Sequence, residues 1–252
     1  MKTLLSFLLV VTLLRAEIYE TAEFSEIEKH VAPGALVVFD IDNTLMEPIQ
    51  TLGSDQWFNY RYQRFIDNGH SKTDALELTL KEYHSVQNVT KVRAVQPETP
   101  NVVSNLQSTG INIMALTARG LALAHRTVEQ LDTIGIDLAR NAPVQEEVFF
   151  NNGKGVIFRS GVLFCSGTHK GKALFKFLDM IGYKPSSITC IDDKQSMLKE
   201  VELLCKERNI PFTGLRYGYL DEKVRLFSPE IAEVQLNHFG RILTDEEAAS
   251  VR

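Results

Sequence analysis

Uninterrupted apolar runs alternate along this chain with segments whose apolar residues recur every three to four positions. Ala35-Leu36-Val37-Val38-Phe39 is a continuous run rich in β-branched residues, entered from Pro33-Gly34. Its length and flanks predict a strand buried on both faces, as in a parallel sheet. Ile111 to Leu116 and Ile188 to Ile191 have the same character, Val162 to Cys165 is a shorter run, and Phe212 to Leu215 reads as a last strand. Between these runs the period is helical: Phe24, Ile27 and Val31, then Leu121 to Ile134, Lys172 to Ile181 and Met197 to Arg208. Val148 to Phe150 and Val156 to Phe158 flank the loop Asn151-Asn152-Gly153-Lys154-Gly155, which predicts a hairpin.

Residues ~50 to ~95 interrupt the alternation. Phe58, Tyr62, Phe65 and Ile66 describe one apolar helical face, Asn68-Gly69 breaks it, and Ser71 to Asp74 opens a second helix carrying Leu76, Leu80 and Tyr83. Two helices inserted after the first buried strand make a small cap, placed at about 47–97. Near the C-terminus, Ser228-Pro229-Glu230 starts a helix, and Thr244 with Glu247 forms a capping box. Strands alternating with helices predict an α/β fold with a doubly wound parallel sheet.

The N-terminus departs from this pattern. Met1-Lys2 precedes an almost wholly apolar stretch from Leu4 to Leu14, and Ala16 precedes acidic Glu17. That order predicts a signal peptide over 1–16 and export to the periplasm or beyond, with an uncleaved N-terminal anchor as the alternative. The apolar stretch falls short of the ~20 residues of a spanning helix. Formal net charge is -5, with no polybasic run, so neither nucleic acid nor an anionic membrane surface is an expected partner. Cys165, Cys190 and Cys205 lie in apolar or helical runs without metal-site spacing and are expected as buried thiols.

The chemistry concentrates where predicted strands end. Phe39-Asp40-Ile41-Asp42-Asn43-Thr44-Leu45 puts two carboxylates just beyond the first buried strand, where open α/β sheets form their ligand crevice. Asp40 is placed to attack phosphorus as an ionised nucleophile, and Asp42 to move protons to the leaving oxygen and from water. Thr117, in Leu116-Thr117-Ala118-Arg119-Gly120, offers a hydroxyl to a phosphoryl oxygen, although a Thr there is also an ordinary helix cap. Lys170, in His169-Lys170-Gly171-Lys172-Ala173-Leu174, offers a positive charge. Asp192-Asp193 adds a second acidic pair at a strand end. With Asp40 this pair makes an all-oxygen cation site of the kind Mg²⁺ accepts.

These four segments, in this order, resemble the sequence motifs of the haloacid-dehalogenase-like (HAD) superfamily: Asp40, Asp42 and Thr44; Thr117; Lys170; and Asp192-Asp193. The resemblance spans residues ~35 to ~220. It implies a Rossmann-like core with a small helical cap, Mg²⁺ dependence and an aspartyl-phosphate intermediate. It also implies a metal site drawn from Asp40, Asp42, Asp192 and Asp193, with Asp42 contributing its backbone carbonyl. Asp42 separates the sequence from dehalogenases, which lack the second acid of the first motif, so the resemblance implies a phosphohydrolase acting on a small phosphomonoester.

The pattern departs from the family in two places. Ser196, Met197 and Leu198 stand where another acid or amide often follows the fourth motif, and Lys172 competes with Lys170 for the lysine role. The first departure keeps open a catalytically silent binding protein on the same scaffold. The shared intermediate keeps open a phosphotransferase or mutase. In the insertion, Trp57, Arg61 and Arg64 lie beside the apolar stripe, either to hold a second anionic group or planar ring, or simply to pack the two helices. Oligomeric state has no signature in the sequence.

Overall fold

The computed structural model describes residues 16–241 and 243–251. The expected leader therefore lies outside the described residues apart from Ala16, which opens strand β1 (Ala16–Thr21). A 3-10 segment, Phe24–His30, stands where α-helical spacing was expected, and leads to β2 (Leu36–Phe39) and β3 (Met46–Pro48). Helices α1 (Asp55–Asp67) and α2 (Lys72–Gln87) follow, then β4 (Val92–Ala94), α3 (Thr99–Ser108) and β5 (Asn112–Thr117). After a short 3-10 turn come α4 (Ala124–Thr133), β6 (Val148–Asn151), β7 (Gly155–Arg159) and β8 (Val162–Phe164). The chain continues through α5 (Lys170–Met180), β9 (Ile188–Asp192), α6 (Gln195–Glu207) and β10 (Phe212–Tyr217). It closes with α7 (Asp221–Arg225), α8 (Pro229–Asn237) and α9 (Asp245–Ser250).

The main sheet has the order β1-β10-β9-β2-β5-β8-β7-β6. It is parallel from β1 to β8, and β7 and β6 add an antiparallel edge. The fold is thus α/β with a mostly parallel central sheet. Alternation along the central strands divides the core between the two faces. Val37, Phe39, Ile113 and Ala115 pack on one side with α3 and α4, and Leu36, Val38, Met114 and Leu116 on the other with α5 and α6. Both faces of β2 are covered, which is why its sequence is an unbroken apolar run.

Between β2 and β5 the chain leaves the sheet. β3 and β4 pair antiparallel as a separate ribbon, and α1 and α2 project from it. Ser54 caps α1 by accepting from the Trp57 N–H, and Ser71 caps α2 by accepting from the Asp74 N–H. The C-terminal helices fold back onto this insertion. Gln235 accepts from the Leu52 N–H, Asp245 from the Thr51 N–H, and Glu233 pairs with Arg61. The capping box at Thr244 and Glu247 is present. Among the described residues no helix is long and apolar enough to cross a membrane.

Candidate active site

Parallel register brings the strand-end residues together. Phe39 lies opposite Ile191 of β9 and Ala115 of β5, so the residues that follow, Asp40 and Asp192, emerge side by side. Asp40 is tied to this edge by its N–H, which donates to the Ile191 carbonyl at 2.9 Å. The strand order diverges around β2, the position at which open α/β sheets place a ligand crevice.

Asn43 then turns the chain with φ 61°, a left-handed conformation that asparagine tolerates better than most residues. Its amide donates to Asp193 Oδ2 at 3.2 Å, and Thr44 Oγ1 accepts from the Asp193 N–H at 3.2 Å. These contacts stitch the first acidic loop to the second. Carboxylate oxygens of Asp40, Asp192 and Asp193 all lie within 4.8 Å of one another.

Lys170, buried at the start of α5, donates from Nζ to Asp40 Oδ1 and to Asp192 Oδ2, each at 2.7 Å. Lys172 is exposed on the same helix. Gly171 explains how α5 comes close enough: a Cβ there would sit 2.3 Å from the carbonyl oxygen of Glu200 on α6. Glu200 also accepts from the Lys170 N–H at 2.6 Å.

Three carboxylates around one ammonium leave excess negative charge in a dry setting. Burial, then the neighbouring Asp192 carboxylate, pushes Asp193 up to about 7. Burial likewise raises Asp40 well above the carboxylate range, although Lys170 opposes it. On Lys170 burial acts downward, but Asp192 and Asp40 outweigh it and hold the ammonium charged. A divalent cation with a preference for oxygen would relieve the excess charge, and the donor set fits one.

Asp42 points elsewhere. Arg119 donates to both of its oxygens, and Nη1 of the same guanidinium donates to Thr127 Oγ1 and Gln130 Oε1 of α4. Burial acts to raise the Asp42 pKa, yet Arg119 wins and lowers it. The side chain of Asp42 is therefore not in the acidic cluster, so any share it has in a cation site falls to its backbone carbonyl. Thr117 ends β5, buried, with Oγ1 accepting from the Arg119 N–H at 3.1 Å. Its hydroxyl hydrogen remains available for donation.

The sequence pattern gives Arg119 no task and does not point to Asn43 or to the Lys194–Asp55 pair that joins the second acidic loop to α1 at 2.8 Å. An arginine just beyond an apolar strand run was the available signal, because a charge carried to that edge of the sheet requires a partner. In the insertion, Arg61 pairs with Glu82 and Glu233, and Arg64 with Glu233. Carboxylates of α2 and α8 thus engage both guanidinium groups.

An α/β sheet with an acidic cluster and a lysine at its carboxyl edge is the class that fold and geometry define. The chain belongs to the family described as "Protein of unknown function (DUF2608)", whose model matches residues 20–249. It is 26% identical over 214 residues to a protein of Chlamydia trachomatis named "Putative outer membrane protein", covering 84% of this chain and 80% of that one. A protein of the same name from Chlamydia muridarum is 28% identical over 214 residues, with the same coverage. Among solved structures, a haloacid dehalogenase-like family hydrolase from Streptococcus pneumoniae superposes with a TM-score of 0.45 at 11% identity, covering 71% of this chain and 93% of that chain.

Proposed function

We propose that this protein is a Mg²⁺-dependent phosphohydrolase that forms an aspartyl-phosphate on Asp40. The observation that carries the reading is Lys170 bridging Asp40 and Asp192 at 2.7 Å each, inside a group of three converging carboxylates. Asp40, Asp192 and Asp193 would hold the cation, which supplies charge neutralisation at the phosphoryl oxygens.

The chain's own residues do the rest. Asp40 attacks phosphorus through a carboxylate oxygen while the bond to the leaving oxygen breaks, and that oxygen takes up a proton from solvent because Asp42 rests ionised. Lys170 orients that carboxylate and offsets charge gathering on the phosphoryl group. Thr117 donates its hydroxyl to a phosphoryl oxygen. Water then attacks phosphorus, releasing phosphate and restoring the Asp40 carboxylate. Asp42, held ionised by Arg119, is the proposed base for that water, a role that requires its side chain to turn from the guanidinium toward the cluster. Helices α1 and α2 act as the cap over this edge.

An exported location is part of the proposal, supported by the apolar N-terminal stretch and by the names of the chlamydial relatives. The test of function is hydrolysis of p-nitrophenyl phosphate with Mg²⁺ or EDTA, beside Asp40→Asn. Turnover abolished by both EDTA and the substitution is expected. A folded wild-type protein silent across a panel of phosphoesters, with no Mg²⁺ binding, overturns the reading.

A further inference from the structure

Asn43 lines a cleft of about 530 Å³. The same Asn43 donates to Asp193, so cleft and cluster share a side chain. Its volume falls within the range of small-molecule pockets. One wall comes from the chain after β3, the other from the segment that follows β10 and packs back onto α1.

The charges lining the cleft are already engaged. Glu47 is buried and paired with both Arg93 and Lys223. Glu222 pairs with Arg225, and Asp245 accepts from the Thr51 N–H and from Gln235. No lining cation is left over for a second anionic group among the described residues. The remaining surface is apolar, from Pro48, Leu220, Val224, Phe227 and Ile231. Of the neutral polar side chains that accompany it, two stand out: Gln56, and Tyr219, whose ring stacks on Tyr217 at 6.2 Å. Neither makes a hydrogen bond among the described residues.

We infer that this cleft receives the leaving group, and that the substrate is the monophosphate ester of an uncharged, ring-bearing alcohol. The inference rests on the phosphohydrolase reading and deepens it. An apolar wall and an aromatic ring take the flat face of such an alcohol, while Gln56 and Tyr219 meet its hydroxyl or amide groups. A second carboxylate or phosphate would enter a space whose one lining cation among the described residues, Lys223, is bound to Glu47, and would lose hydration without gaining a counter-charge. Glu47 is thus a specificity-determining residue: it neutralises Lys223 at the cleft.

The test compares naphthyl phosphate with phosphoglycolate, which carries a second anionic group. Phe227→Ala is expected to lower kcat/KM for naphthyl phosphate about tenfold, within the range for lost apolar pocket contacts, while phosphoglycolate changes little. Glu47→Gln, close to isosteric, is expected to shift the ratio several-fold toward phosphoglycolate, and added salt should reverse that shift. Calorimetric titration of the Asp40→Asn protein with both esters reads the same preference without turnover. Equal effects of Phe227→Ala on both esters, or an unmoved ratio in Glu47→Gln, overturn the inference while Asp40-dependent hydrolysis persists. Failure of the phosphohydrolase reading is separate: no ester is hydrolysed, and the titration alone then decides whether the cleft prefers the uncharged ring.

Discussion

Arg119 donates from Nε and Nη2 to the two oxygens of Asp42, at 2.9 and 2.8 Å. The guanidinium is almost fully buried, its side chain 3% exposed. Such a fork fixes both the charge and the direction of the carboxylate, and a lysine cannot reproduce it.

Arg119→Gln is therefore expected to cost about 3 kcal/mol, because it strands a largely buried carboxylate. Arg119→Lys should recover only part of that loss. Denaturant midpoints of both variants check this. The double variant with Asp42→Asn should be less destabilised than the sum of its singles, since the two residues form one unit. Additive losses would count against the pair as a unit.

Lys170→Met should lower turnover of p-nitrophenyl phosphate about a hundredfold, the scale for losing one preorganised electrostatic group. Lys172→Met, altering an exposed side chain on the same helix, should stay near wild type. Steady-state kinetics on the two proteins decides between them, and equal losses would remove Lys170 from its proposed role.

Gly171→Ala tests how α5 is seated. The added Cβ would meet the Glu200 carbonyl oxygen at 2.3 Å, forcing α5 from α6 at a cost of about 2 kcal/mol. Lys170 would move with the helix, so activity should fall as well. Gly120→Ala is the matched control. Its φ is -97° and its nearest new neighbour is Ser166 Oγ at 3.5 Å, so a change within about 0.5 kcal/mol is expected. Melting curves separate the two.

The acidic cluster predicts a particular pH dependence. Burial and Asp192 raise Asp193 from 3.8 to about 7 in the folded protein. Folding takes up a proton at this group between those values. Its contribution is therefore most favourable at the acid end and is lost as pH rises toward the folded value. Mg²⁺ binds the ionised form, so its stabilising effect should be larger near pH ~8 than near pH ~5. Thermal melts in Mg²⁺ and in EDTA, for wild type and Asp193→Asn, measure both effects. The substitution should flatten this part of the profile, and an unchanged profile would contradict the assignment.

What the sequence revealed and what it hid divide along a physical line. That Asp40, Thr117 and Asp192 lie where strands end was legible because each follows an apolar run that only a doubly covered strand explains. The hairpin of β6 and β7 and the caps at Ser228 and Thr244 were legible because their signals are local. β1 was not: Glu17, Glu20 and the polar end at Thr21 hide a strand that pairs with β10, nearly two hundred positions away in register. α3 was missed for a similar reason, since Thr99-Pro100-Asn101 looks like loop chemistry and its buried face is short. Arg119 and Asp42 are separated by 77 positions. No periodicity within either segment names the other as partner.

The folding-back of the C-terminal helices sets an order on how the site comes into being. Asp40, Asp42 and the Thr51 backbone leave the ribosome early, but Asp245, which receives the Thr51 N–H, lies 194 positions later. Leu52 waits similarly for Gln235, 183 positions on. A nascent chain therefore carries its reactive carboxylates for almost the whole of synthesis without the second wall of the cleft beside them. A chain clipped before α8 would keep Asp40 and the Tyr219–Phe227 stretch of that wall, yet lose Ile231 and Asp245 from the cleft and the carboxylate and amide that receive the Thr51 and Leu52 N–H groups.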